Sequence, residues 1–85
     1  MRKLIASNLG IEIDFTIYDN RVYMKTNNPM IRSAFVELLK KQNAKQPESN
    51  GLYDMFEIEG ETEEKIHESL SNMLKQGGFQ VQEIK

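Results

Sequence analysis

The sequence predicts an α+β two-layer sandwich in the order ββαβαβ, with two helices on one face of a mixed four- or five-stranded sheet. Three observations carry this reading. Residues 11–25 alternate apolar and polar side chains around a short break, the mark of a β-hairpin. Segments opening at Asn28-Pro29 and at Thr62 place apolar residues at helical spacing behind N-cap residue types. Two strand-like runs, LYDMFEIE and FQVQEI, bracket the second helix, with Gly60 before it and Gly77-Gly78 after it. Strand, helix and strand over about thirty residues read as a right-handed βαβ unit.

The hairpin comes first. Ile11, Ile13, Phe15 and Ile17 lie on one side of the alternation, and Glu12, Asp14, Thr16 and Tyr18 on the other. Asp19-Asn20, two residue types that tolerate positive φ, separate this run from RVYMKT. A two-residue turn pairs Tyr18 with Arg21, Ile17 with Val22, Thr16 with Tyr23, Phe15 with Met24 and Asp14 with Lys25. That register sets apolar against apolar on one face and Asp against Lys on the other. Lys3–Ser7 supplies an optional extra strand.

The first helix opens with Asn28 as N-cap and Pro29 at its first position. Ile31, Ala34, Phe35, Leu38 and Leu39 form its predicted buried stripe, Lys40, Lys41 and Lys45 suit its C-terminal end, and Pro47 stops it. Residues 44–51 read as a flexible loop. The second helix is capped by Thr62, carries Glu63 and Glu64 in its first turn, and buries Ile66, Leu70, Met73 and Leu74. Gly77-Gly78 closes it.

Length and composition set limits. At 85 residues, residues 1–85 read as one domain with one modest core. The hydrophobic share of 39% makes that core thin. With no cysteine, disulfides, thiolate catalysis and zinc–thiolate sites are excluded. No apolar run approaches the ~18 residues of a membrane span, so the expectation is a cytoplasmic protein with no membrane partner. Charge is divided unevenly. Residues 1–50 carry eight Lys/Arg against five acids, and residues 51–85 carry eight acids against three Lys. Such asymmetry speaks of surfaces and partners, not of fold.

The chemical inventory is sparse. His67 is the single histidine, and Glu64 stands three residues before it on a helix, a spacing used in carboxylate-bridged metal sites. No second copy of the pair exists, so His67 reads as a solvated histidine among Glu63, Glu64 and Glu68. No catalytic residue, metal site or cofactor is expected, and Gly77-Gly78 follows a helix where an anion-binding glycine loop would precede one. Asp54, Glu57, Glu59, Glu61, Glu63, Glu64 and Glu68 crowd into fifteen residues and read as an acidic edge.

The strongest lead is the sheet face turned away from the helices. Alternation puts Tyr18, Tyr23, Tyr53 and Met55 there, with Arg21 and Lys25 beside them and Glu57 and Glu59 along the edge. Tyrosine gives rigid amphipathic contact area at protein interfaces, and it also stacks on unpaired bases. Glu12, Asp14, Glu57 and Glu59 share that face and repel phosphates. The expectation is therefore a non-catalytic protein-binding regulator, adaptor or inhibitor, with self-association as a further use of the face. A single-stranded RNA or DNA binder using the tyrosines is the alternative. Small cysteine-free domains with divided charge are of the kind that phages and mobile elements direct at host proteins, an analogy of size and composition.

Overall fold

The computed structural model describes residues 1–49 and 52–84. Among them it forms six strands and two helices: β1 (Arg2–Asn8), β2 (Ile11–Tyr18), β3 (Arg21–Thr26), α1 (Pro29–Lys41), β4 (Lys45–Ser49), β5 (Asp54–Glu57), α2 (Glu63–Gln76) and β6 (Gln80–Ile84). The strands make one open sheet in the order β4-β5-β3-β2-β1-β6, and every neighbouring pair is antiparallel. The α+β class holds. The four or five strands of a mixed sheet do not.

The β2–β3 hairpin has the register read from the sequence, from Tyr18↔Arg21 to Asp14↔Lys25, with Asp19 at φ 55° in the turn. A second tight turn, Leu9 at φ 49° and Gly10 at φ 84°, joins β1 to β2. The optional first strand is thus an inner one, flanked by β2 and β6.

Two corrections follow from this placement. The pairings make β5 and β6 run in the same direction, but β3, β2 and β1 lie between them, so the βαβ crossover yields no parallel neighbours. β6 pairs instead with β1, antiparallel, from Lys3↔Ile84 to Ser7↔Gln80. The second correction concerns the predicted loop at 44–51, of which residues 45–49 are strand β4 and residues 50 and 51 lie outside the described residues. KQPES has no alternation to betray it because β4 is an edge strand, largely exposed and broken by a register shift between Lys45 and Glu48.

Both helices lie on one face. Leu4, Ala6, Ile13, Phe15, Ile17, Val22, Met24 and Phe56 from the sheet meet Phe35 and Leu39 of α1 and Ile66, Leu70 and Leu74 of α2 in a single core. Asn28 caps α1 by accepting from the Ile31 N–H at 3.0 Å, and Thr62 caps α2 by accepting from the Lys65 N–H at 3.2 Å. α1 ends at Lys41, ahead of Pro47, in a turn where Asn43 takes φ 65°. The α1 stripe is also narrower than periodicity implies. Phe35 and Leu39 are buried, whereas Ala34 and Leu38 face solvent in line with Met30. A helix seated over one flank of a thin sheet has room to bury only its central row.

Candidate functional site: the open sheet face

With both helices on one face, the opposite face is left to solvent, and the strand registers fix what it carries. One row across the sheet reads Lys3, Thr16, Tyr23, Met55, Glu48. The next reads Tyr18, Arg21, Glu57, Lys45, and on the other side lie Ile5, Asp14 and Lys25. Period-two alternation assigns all of these side chains to the same face.

The centre of this face is aromatic. The Tyr23 and Tyr53 rings meet edge to face with centroids 5.7 Å apart. Met55 is buried although it lies on the uncovered side, so neighbouring side chains already exclude water from it. The Tyr53 hydroxyl donates to Glu48 Oε1 at 2.7 Å. Tyr18 stands apart at the hairpin end and is 55% exposed.

The surrounding charges largely neutralise one another. Arg21 Nε lies 3.4 Å from Glu57 Oε1, and Asp14 is register partner to Lys25. Glu59 lies beyond the end of β5, where its carboxylate is 3.9 Å from Lys45 Nζ. Tyr18, Arg21, Tyr23, Lys25, Met55 and Glu57 therefore share the open face, Tyr53 joins them through its ring contact, and Glu59 is peripheral.

The acidic edge is less available than its sequence density implies. Asp54, its first member, is on the helix side and 3% exposed. Arg32 Nε and Nη2 each donate to it at 2.7 Å, Ser49 Oγ donates at 2.7 Å and Gln46 Nε2 at 2.9 Å. The hydrogen-bonded Arg32 guanidinium holds the Asp54 carboxyl below its ordinary pKa of 3.8, against the opposing effect of burial. This cluster joins α1 to β4 and β5, and sequence reading missed it because its members lie up to 22 residues apart. Glu63 pairs with the amino group of Met1 at 2.8 Å. Glu61, Glu64 and Glu68 are exposed and enter no ion pair among the described residues.

His67 requires a correction. Its side chain is 13% exposed, not solvated, and Nε2 lies 3.3 Å from Glu83 Oε1 of β6. The contact is close but lacks hydrogen-bond geometry. Among the described residues no group of three or more His, Asp or Glu side chains is placed to hold a metal ion. A groove between the end of α1 and α2 measures about 160 Å³, with Leu39, Ile58, Ile66, Leu70 and Met73 as its apolar lining and Gln42, Glu61, Lys65 and Ser69 as its polar lining. No helix among the described residues is long and apolar enough to cross a membrane. Comparison with protein-family models, with curated proteins and with solved structures finds no match.

Proposed function

We propose that this protein is a non-catalytic binding module, a regulator, adaptor or inhibitor that docks a partner protein on its open sheet face. The observation that carries the proposal is the arrangement of that face. Tyr23, Tyr53 and the buried Met55 form its centre, and the ion pair Arg21–Glu57 with the register partners Asp14 and Lys25 forms its rim. A half-buried aromatic pair around a buried methionine, within a polar rim of mixed charge, matches the anatomy of a protein interface. The acidic residues Glu61, Glu64 and Glu68, in no ion pair among the described residues, form a second surface apart from this face, since Glu64 and Glu68 stand on α2.

The same arrangement disfavours a single-stranded nucleic acid as ligand. Of the four cations on the face, Arg21 pairs with Glu57, Lys45 lies near Glu59 and Lys25 is register partner to Asp14, which leaves Lys3, while Glu12, Asp14, Glu48 and Glu57 share the face with them. A phosphate backbone would meet little unopposed positive charge.

The test is capture of partners from source-cell lysate on immobilised protein, with and without nuclease, for wild type and for Tyr23→Ala and Tyr18→Ala variants with unchanged melting curves. Retention of a discrete protein after nuclease, lost with Tyr23→Ala and weakly dependent on salt, is the expected result. Recovery of nucleic acid with a steep salt dependence would overturn it.

A further inference from the structure

The two outer strands of the sheet are built differently, and only one of them is closed to further pairing. β4 carries Pro47, which has no N–H to donate, and its register with β5 shifts between Lys45 and Glu48. β6 has neither device. Its five residues, Gln80–Ile84, pair with β1 in unbroken register, and no strand lies on its outer side among the described residues. Its one charge, Glu83, is turned to the helix side and lies against His67 of the same molecule.

We propose that β6 is a dimer seam, pairing antiparallel with β6 of a second copy of this chain to make one continuous twelve-stranded sheet. Symmetry limits the register. A two-fold axis perpendicular to the sheet keeps both helix layers on one side, and directly opposed residues must point to the same face. The axis therefore passes through a residue, not between two. Only an axis at Gln82 pairs all five residues of the strand. It sets Gln82 against Gln82, Val81 against Glu83 and Gln80 against Ile84, so no charge opposes its like. An axis at Glu83 would set carboxylate against carboxylate.

The helices agree with this register. α2 returns the chain between β5 and β6, two strands of common direction, and so runs opposite to β6. The two-fold axis then lays the two α2 helices antiparallel across the seam. The acidic first turn of one (Glu63, Glu64) is directed toward the end of the other that carries Lys75. The open face of Tyr23, Tyr53 and Met55 stays uncovered, so this assembly and partner binding on that face are independent and separately testable.

The chain has no cysteine, so single cysteines report the register without background. Gln82→Cys places two thiols directly opposite each other, whereas two Gln80→Cys thiols lie about 14 Å apart in the proposed register, beyond a short bismaleimide. The expected result is bridging of Gln82→Cys at least about tenfold faster than of Gln80→Cys, with the mixture of Gln80→Cys and Ile84→Cys giving the covalent heterodimer. In sedimentation at about 100 μM, wild type runs as a dimer and Gln82→Lys, which sets like charges on the axis, as a monomer. A monomeric wild type, equal bridging at positions 80 and 82, or a dimer lost with Tyr23→Ala but kept with Gln82→Lys would overturn the proposal.

Discussion

The two flanks of the β1–β2–β3 centre share one apolar core but differ in what else holds them. On one flank, α1, β4 and β5 are tied by a buried carboxylate, Asp54, that takes hydrogen bonds from Arg32, Gln46 and Ser49. On the other, α2 is held to β1, β2 and β6 chiefly by Ile66, Leu70 and Leu74 in the core. Apolar packing tolerates small shifts of geometry, whereas a buried charge is stable only while its partners stay in place. The polar flank is therefore pinned to one arrangement and blunted at its edge by Pro47. The apolar flank ends in β6, a strand with hydrogen-bonding capacity to spare.

The largest expected effect lies on the apolar flank. Leu70 is 2% exposed at the middle of the α2 stripe, and Leu70→Ala should cost about 2–5 kcal/mol in urea denaturation. For a domain of this size each kcal/mol lowers the melting temperature by about 4–8 °C. A loss below about 1 kcal/mol would mean that α2 is not held by its stripe.

On the polar flank the expected loss is smaller and depends on pH. Asp54→Asn removes the charge-assisted bonds but leaves Arg32, whose side chain is 45% exposed, free to turn to water, for a cost of about 1–3 kcal/mol. Because Asp54 has its folded pKa lowered by Arg32, its contribution is fully present above its unfolded pKa near 3.8 and fades as pH falls through the lower folded value. The gap in stability between wild type and Asp54→Asn should be constant from pH 5 to 7 and close below about pH 4. A gap that persists into that acid range would show that the carboxylate's charge is not what holds the flank. Arg32→Met should be the worse substitution of the two at pH 7, since it leaves Asp54 buried beside only Ser49 and Gln46.

The same contrast explains what could be read from the sequence. Periodicity reports apolar burial and residue type reports caps, so the hairpin register, both N-caps and the α2 stripe are legible in the sequence, except that Met73 is only partly buried. The aromatic centre followed from them, since alternation alone puts Tyr23 and Met55 on the uncovered face. The Arg32–Asp54 cluster was not legible, because hydrogen-bond partners distant in sequence leave no periodic trace. For the same reason sequence density alone places Asp54 on an acidic edge, and β4, polar on both sides, carries the pattern of a loop. The place of β1 inside the sheet was decided by β6 returning to pair with it. That is a topological choice, made over a separation of more than seventy residues.

Pro47→Val tests the edge contrast directly. β4 is exposed, so stability should change by no more than about 0.5 kcal/mol. The substitution restores an N–H on an outer strand and raises β-propensity, so concentration-dependent light scattering should rise above wild type. Scattering equal to wild type would mean that the shift between Lys45 and Glu48 suffices to close this edge.

A comparably small effect is expected on the open face, where the polar flank meets the central strands. Tyr53→Phe removes the hydroxyl that donates to Glu48 but keeps the ring that meets Tyr23. An exposed bond of this kind contributes at most about 0.5–1 kcal/mol, and water replaces it at both partners. Tyr53→Ala also removes the ring that meets Tyr23, so it should cost more than Tyr53→Phe and should weaken any partner seated on the aromatic centre. If the two variants were equally stable and bound equally well, the hydroxyl would be the contact that matters. The face would then be a polar hydrogen-bonding surface, with its aromatic character incidental.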